Sequence, residues 1–507
     1  MTRKPVVWSI AGSDCGAGAG LQADLKAFEA MDVHGCTAVA AITAQNSQRV
    51  SHVEPVRAEL LDAQLAALAE DMRPAAIKTG LLGSVENLRV VARWVDLLGV
   101  PLVVDPVLGA STGKTFVDDA LLEAYRRELL PRAALVTPNR HEAARLLTCG
   151  DFPNIAAQAK ALLALGCAAV VVTGGDVGDQ GYEEPVRDYL HSAQYQGWME
   201  LPRVATRHNH GTGCVFAAAA AAAMALDYVP AEAAIIAKML TVDALKNGYE
   251  AGLGPGPVRP MPGFAMQANG LPNLPCDASP GAFARLDDER IGLYAVVDSA
   301  DWVQRVLAAG VRTVQLRIKS ADKMLLRNEV RRCVEMTRAA GAQFFVNDDW
   351  QLAIETGAYG VHLGQEDVDS ADLQAISQAG LRLGLSTHSL WEVCRAQALR
   401  PSYMACGPIY PTQLKRMPWA AQGELNLAFW CQALQGLPVV AIGGMDAPRA
   451  RGAIQCGAAG VAVVSAITAA ADPEQAVAAL RRSIQDAQFG QAMDRVPANL
   501  PRPAYPG

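Results

Sequence analysis

The chain lacks the marks of several common protein classes. No dense run of lysine or arginine interrupts its 507 residues, and 44 basic against 51 acidic side chains leave a net charge of −7. It therefore has nothing to match nucleic acid or an acidic membrane surface, and any small anion must be caught locally. Eleven cysteines run from Cys15 to Cys456 without a C-x-x-C pair or a Cys/His cluster at zinc spacing. That pattern argues against a structural metal and for free thiols in a reducing, cytoplasmic setting. The apolar stretch Val6 to Ile10 is too short for the core of a secretory signal. No segment is long and apolar enough to span a bilayer: the longest candidate, Val215 to Leu226, is mostly alanine and about half the needed length.

What is present is a globular composition, 51% hydrophobic and 19% charged, in a chain longer than one ordinary core, so two or three domains are expected. The clearest seam holds Pro255, Pro257, Pro260, Pro262, Pro272, Pro275 and Pro280, and reads as a linker over 252–288 between domains 1–251 and 289–488. A proline-rich tail, 489–507, is expected to be disordered. In the first domain, short apolar runs at Val6–Ile10, Thr37–Ile42, Ala75–Ile77, Leu102–Val104, Ala134–Val136 and Ala169–Val172 alternate with helical patterns. They predict an α/β fold with a largely parallel sheet, closed by an antiparallel edge at Val186–His191 and Trp198–Leu201. In the second domain, strands begin near Leu293, Thr313, Gln343, Tyr359, Arg382, Tyr403, Val439 and Gly460, each followed by a helical stretch. Eight such units predict a (β/α)8 TIM barrel with its functional residues at the C-terminal strand ends.

Polar groups gather at those ends. On a strand, Gln315, Arg317 and Lys319 share one face; alone, that pattern also fits a solvated amphipathic strand. Together with Asn347-Asp348 and Gly364-Gln365-Glu366-Asp367 it suits a polyphosphate, with a divalent cation such as Mg2+ between the phosphate oxygens and the carboxylates. His362 lies inside an apolar strand pattern and reads as a packed core residue rather than a catalyst. In the first domain a glycine loop, Gly12 to Gly20, joins a strand to a helix and offers amides to an anion, although a tight turn would use the same residues. It matches neither the P-loop lysine pattern nor a dinucleotide fingerprint. Gly211-Thr212-Gly213-Cys214 opens an alanine-rich helix, whose free amides make an anion hole for a transferring phosphoryl group. Asn139 and Glu142 start another helix in a spacing suited to Mg2+ and its waters, while Glu142 could equally be an ordinary helix-start acid. Asp105, at the tip of Leu102–Val104, is a further candidate for the metal or phosphate-water side of the site.

Residues 5 to about 250 resemble the hydroxymethylpyrimidine and phosphomethylpyrimidine kinases of thiamine biosynthesis, a ribokinase-like three-layer α/β fold. The resemblance rests on A-G-S-D-x-x-x-G-A-G-x-Q-A-D-L-K, T-A-Q-N at Thr43 to Asn46, D-P-V at Asp105, T-P-N-x-x-E at Thr137 to Glu142, and G-T-G-C. It implies ATP as phosphate donor, with Asp105, Asn139 and Thr173 on the nucleotide side, Glu142 on Mg2+, Asp24 and Gln45 on the pyrimidine, and Gly211, Gly213 and Cys214 at the reacting group. Sugar kinases of the superfamily usually carry Asp where this chain has Cys214, and such kinases often have a lysine at Thr173.

Residues 291 to about 485 resemble thiamine phosphate synthase, through Q-L-R-x-K, N-D-D, G-V-H-L-G-Q-E-D, G-P-I-Y-P-T-x-x-K, V-A-I-G-G and V-A-V-V-S-A-I. This resemblance implies Mg2+ on Asp348 and Asp367. It puts Arg317, Lys319 and Lys415 on the leaving diphosphate, and Gln315, Asn347, Ser386 and Thr412 on the diphosphate or the pyrimidine. Gly444, Val464 and Ser465, after the last two strands, fall to the thiazole phosphate. The family loop usually reads P-T-x-T-K, whereas this chain has Leu414 before Lys415. The expectation is a bifunctional, homo-oligomeric enzyme acting on small molecules and on neither nucleic acid nor membrane. The alternatives are a barrel like the thiazole tautomerases or a non-catalytic ligand-sensing module.

Overall fold

The structure, a computed structural model, describes residues 3–109, 116–147, 152, 154–175, 185–266, 270–275, 281–320, 322–412, 418–489 and 500–505. The chain forms two compact units, Met1–Leu274 and Pro275–Pro506.

The first unit is built on nine strands among the described residues: β1 Val6–Asp14, β2 His34–Gln45, β3 Val50–Pro55, β4 Ala76–Thr79, β5 Leu102–Val104, β6 Leu135–Val136, β7 Val170–Val172, β8 Val186–His191 and β9 Gln196–Leu201. Their order is β3-β2-β1-β4-β5-β6-β7-β8-β9. β1, β2 and β4 to β7 run parallel, whereas β3, β8 and β9 pair antiparallel at the two edges. β3 was not foreseen, because V-S-H-V-E-P is short, polar and half exposed. Alternation along β1 places Val6, Trp8 and Ile10 with Leu61, Leu65, Leu88 and Val91 of the helices Ala58–Asp71 and Val85–Leu98. Ser9 turns to the opposite face and to the helix Gly20–Ala30. On that side lies the helix Thr212–Ala225, whose alanines 217–223 are all fully buried. Side chains this small let it approach both the sheet and the helix Pro230–Lys246 closely, so its N-terminus is fixed at the strand ends. The chain reverses its direction of travel across the sheet between β1 and β4, which opens a crevice beyond their C-terminal ends.

The second unit closes eight parallel strands into a barrel: β10 Gly292–Val297, β11 Thr313–Leu316, β12 Gln343–Asn347, β13 Gly360–Leu363, β14 Arg382–Thr387, β15 Tyr403–Cys406, β16 Val439–Ile442 and β17 Gly460–Val463. Tyr294, Val296, Phe345, Tyr403, Ala405, Val440 and Ala462 fill its interior. The strand ending at Leu316 corrects the reading of a shared buried face: Gln315 is inside, whereas Arg317 and Lys319 lie beyond the strand and are exposed.

Most of the described proline-rich stretch is packed rather than free. Val258 donates its amide to His210 O and Arg259 to Ala244 O, Asn273 pairs with Glu200, and Leu274 is fully buried. On the barrel side Phe283 and Leu286 are buried, and Ser402 Oγ donates to Ala284 O at 2.6 Å. Prolines here end regular structure without freeing the chain, since apolar residues between them find a surface. The tail departs from expectation in the same way. A helix runs to Phe489, and within 500–505 Ala504 is fully buried, its carbonyl accepting from the Ala420 amide at 2.7 Å. Arg502 N donates to Asn426 Oδ1 and Arg502 Nη1 to Ala421 O, both at 2.8 Å.

Deleting residues 500–507 removes these bonds and should cost the barrel about 2 kcal/mol, lowering its thermal midpoint by roughly 4–8 °C. Differential scanning calorimetry of the full chain and the truncation measures this, and an unmoved barrel transition would show that the tail contributes nothing in solution.

Candidate active sites

The loop after β1 folds around its own carboxylate. Asp14 accepts from the amides of Gly16 at 2.8 Å, Gly18 at 2.9 Å and Ala19 at 2.8 Å. These amides were expected to meet a ligand's anion; the structure gives them to Asp14. Burial works against that charge, but bonds from His210, Gln45 and the loop amides outweigh it and hold Asp14 down at about 2. Gly20 completes the turn at φ +56, where a Cβ would lie 2.2 Å from Gly12 O. Gln45, at the end of β2, brings its side chain to the same carboxylate. Gly211, at φ +88, has room only for hydrogen because a Cβ would reach Gly18 O at 2.0 Å. The glycine loop and the helix start of Gly211-Thr212-Gly213-Cys214 are thereby packed together, and His210 Nε2 lies 3.5 Å from Asp14 Oδ2.

Beneath this helix start is a buried ionic cluster that the sequence reading missed. Lys78 Nζ donates to both oxygens of Asp24, at 3.0 and 2.9 Å, and lies 3.6 Å from Asp105 Oδ2. Ser9 Oγ donates to Asp24 Oδ2 at 2.5 Å. Burial works against the Lys78 charge, but the Asp24 and Asp105 carboxylates outweigh it and keep the amine protonated. Asp24, expected as a substrate contact, is fully buried with both oxygens accepting from Lys78 and Ser9. Burial lifts Asp105 to about 6 against the pull of Lys78. It also pushes the Cys214 thiol up to about 12, with Lys78 pulling down and Asp105 and Asp24 pushing up. The thiol is therefore neutral at physiological pH. The available signal was a lysine inside the apolar run Ala75 to Thr79.

Asn139 and Glu142 cap a helix reciprocally: Asn139 N donates to Glu142 Oε2 at 3.0 Å and Glu142 N to Asn139 Oδ1 at 2.9 Å. The helix-start role thus accounts for one oxygen of Glu142 without any metal. Asn139 bridges to Thr173, whose amide bonds Pro138 O at 2.9 Å, so these two nucleotide-side candidates are adjacent. Gly174 N is held by Asp188 Oδ1 at 2.9 Å, and Asp188 in turn by buried Lys238 at 2.7 Å.

In the barrel, Asn347 ends β12 and Asp348 follows it in the left-handed region at φ +64. Asp367, in the first turn of Gln365–Val368, accepts from Gly364 N at 3.1 Å. The two carboxylates meet. Burial first, then Asp367 through charge and a shared hydrogen bond, lifts Asp348 to about 6, with Arg317 and Asn347 pulling the other way. Gln315 Nε2 donates to Tyr294 OH at 3.1 Å, Tyr294 and Tyr403 share a bond of 2.8 Å, and Tyr403 meets His362 Nδ1 at 2.7 Å. His362 Nε2 then meets Ser386 Oγ at 2.8 Å. His362 is buried as read, and burial, then Arg317 and His388, lower it to about 4. Gly443 and Gly444, at φ +96 and +67, turn after β16, and Val464 and Ser465 follow β17 into the short helix Ser465–Thr468. Thr412 follows the Gly407-Pro408 turn after β15 and is half-buried; Leu414 and Lys415 lie outside the described residues.

The family model for phosphomethylpyrimidine kinase matches residues 14–259 and that for thiamine monophosphate synthase residues 293–467. The chain is 32% identical over 484 residues to a probable thiamine biosynthetic bifunctional enzyme, chloroplastic, of Oryza sativa subsp. japonica, covering 91% of this chain and 86% of that one. It is likewise 32% identical over 480 residues to a chloroplastic thiamine biosynthetic bifunctional enzyme of Arabidopsis thaliana, covering 91% and 90%. Its second half is 50% identical over 198 residues to the thiamine-phosphate synthase of Yersinia pestis (strain Pestoides F), covering 39% of this chain and 92% of that protein. Among solved structures, pyridoxal kinase from Staphylococcus aureus in complex with AMP-PCP is 33% identical, covering 51% of this chain and 94% of that one, with a TM-score of 0.47.

The Asp14 carboxylate, depressed from 3.8 to about 2, contributes about 2 kcal/mol that is present above the unfolded value and lost as pH falls through the folded one. Asp14→Asn should therefore be less stable by about that amount at neutral pH, with the gap closing as pH is lowered from about 4 towards 2. Urea midpoints of the kinase unit across that range test it; a gap that widens on acidification contradicts the assignment.

Proposed function

The chain belongs to the bifunctional thiamine biosynthetic enzymes, and from that premise we propose how its residues divide the work between a phosphomethylpyrimidine kinase half and a thiamine-phosphate synthase half. In the first half, ATP phosphorylates hydroxymethylpyrimidine and then its monophosphate in the crevice between β1 and β4. Gln45, steadied by Asp14, presents its amide to the heterocycle. The Gly211 and Gly213 amides at the start of Thr212–Ala225 face the transferring phosphoryl group, and Asp105, Asn139 and Thr173 line the nucleotide side. Glu142 is the candidate there for Mg2+. A neutral Cys214 is a poor proton acceptor, which the reaction tolerates because a loose phosphoryl-transfer transition state asks little of a base.

In the second half, the diphosphate of the pyrimidine couples with thiazole phosphate. The carbon–oxygen bond to the diphosphate breaks, pyrophosphate leaves with the electron pair, and the thiazole nitrogen supplies the pair for the new carbon–nitrogen bond. The observation that carries this reading is the meeting of Asp348 and Asp367 beside Arg317 at the barrel's strand ends. Two like-charged carboxylates brought together fit a divalent cation; Asp348 and Asp367 would hold Mg2+, and bound there it would neutralise charge on the leaving diphosphate. Arg317, Lys319 and Lys415 hold the diphosphate. Gln315, Asn347, Ser386 and Thr412 orient the pyrimidine, and Gly444, Val464 and Ser465 hold the thiazole phosphate. A thiazole tautomerase or a sensing module would have no diphosphate to hold and no use for this pairing of acids with Arg317. We place the enzyme, as a homo-oligomer, in a reducing cytoplasm where its cysteines stay free thiols; among the described residues no helix is long and apolar enough to cross a membrane.

Asp367→Asn should lower thiamine phosphate formation about a hundredfold or more while leaving pyrimidine phosphorylation intact, because it removes one charge from a separate site. Paired assays on the full chain measure both; unchanged coupling at limiting Mg2+ would remove the metal assignment. Gln45→Ala should raise KM for the pyrimidine about ten- to a hundredfold and leave KM for ATP unchanged. Equal effects on both would show that Gln45 does not read the heterocycle.

A further inference from the structure

The Lys78 and Asp24 pair has no evident structural necessity. Both side chains are completely buried, and such a pair can usually be replaced by neutral groups of similar size without loss of stability. Its position is the informative feature. Asp24 lies on Gly20–Ala30 directly after the glycine loop, Lys78 lies on β4, and Asp105 follows β5. The three converge from the elements that bound the crevice, with Cys214, in the first turn of Thr212–Ala225, within their field. A side chain on Gly80, just past β4, would come within 3.1 Å of the Lys78 amine, which places that amine at the C-terminal ends of the strands. Asp24 is saturated by Lys78 and Ser9, whereas among the described residues Asp105 Oδ2 is buried with no hydrogen-bond partner at normal distance, and the Lys78 ammonium lies 3.6 Å away to offset its charge. An uncompensated carboxylate at this depth would oppose the negative charge that develops on a phosphoryl group in transfer nearby.

We propose that Lys78 is a positioning residue of the phosphoryl-transfer site: anchored by Asp24, its ammonium fixes the Asp105 carboxylate and offsets its charge beside the anion hole of Gly211 and Gly213. The inference rests on the kinase reading above and assigns Lys78 no contact with substrate. Because the offset matters most when charge develops on the transferring group, its loss acts on kcat more than on KM.

The test is the full-length double variant Lys78→Met/Asp24→Asn. With both carboxylates ionised, Lys78, Asp24 and Asp105 together carry one net negative charge, and so does the double variant, so the net buried charge is conserved while both members of the ion pair are lost. The expected result is a thermal midpoint close to wild type, a kcat for pyrimidine phosphorylation lower by about a hundredfold, KM values within about threefold, and unchanged coupling of supplied pyrimidine diphosphate. If the methionine variant does not fold, Lys78→Gln/Asp24→Asn keeps a donor in place of the ammonium and gives the same reading. A folded double variant with wild-type kcat would show that the pair is only structural and would overturn the inference. A wild-type protein that couples but phosphorylates no pyrimidine would instead remove the kinase reading, and this inference with it.

Discussion

A parallel strand covered on both faces can display polar chemistry only where it ends, and both halves of this protein obey that constraint. In the first unit, helices cover both faces of the sheet, so the groups that could meet a ligand are those after β1, β4, β5 and β6 and at the start of Thr212–Ala225. In the second, eight strands close on an interior filled by Tyr294, Phe345, Tyr403 and their neighbours, so charged groups such as Arg317, Asp348 and Asp367 stand on the rim beyond the strand ends. Unrelated architectures thus put their chemistry in the same place for the same reason.

Within that constraint, the carboxylates differ in how completely the protein itself engages them. Asp14 is satisfied by backbone amides of its own loop, and Asp188 by Lys238 and the Gly174 amide. Both are complete without a ligand, and they shape the loops that would meet one. Asp348 and Asp367 have mainly each other, and a like-charged pair is relieved only by a shared proton or by a cation. Asp105 stands between these cases, with Lys78 near it but no hydrogen bond to its Oδ2.

This distinction also explains what the sequence could and could not disclose. The barrel strands and most of the sheet were readable, because apolar runs bounded by glycine and by polar residues impose their period locally. The places of Gln315, Asn347, Asp348, Asp367 and Gly211 followed, each being fixed by a strand end or a helix start. What escaped depended on distant partners. Asp24 sits in a motif that invites a ligand, yet its partner Lys78 is 54 residues away. The glycine loop is the exception: its amides are taken by Asp14 in the same loop, a local Asx-type turn that competes with the anion-loop reading. Arg317 and Lys319 fit a strand alternation that stops at Leu316. Proline content suggested a free linker and tail, whereas burial of Leu274 and Ala504 is decided by surfaces contributed from elsewhere in each unit.

The barrel carries its charge at the rim and keeps a neutral floor, and this arrangement suits a dissociative reaction. Gln315, Tyr294, Tyr403, His362 and Ser386 form one hydrogen-bonded chain that contains no charged member at physiological pH, because His362 is lowered to about 4 by burial, with Arg317 and His388 adding to the effect. Departure of pyrophosphate leaves positive charge on the pyrimidine. An imidazolium in the floor would repel that charge, and at low dielectric the repulsion would be weakly screened. A neutral imidazole held between Tyr403 and Ser386 can orient the serine hydroxyl without adding charge. The cations at the rim then act on the leaving diphosphate alone. Arg317 at the rim also helps keep His362 uncharged, so rim and floor are coupled by a single electrostatic field.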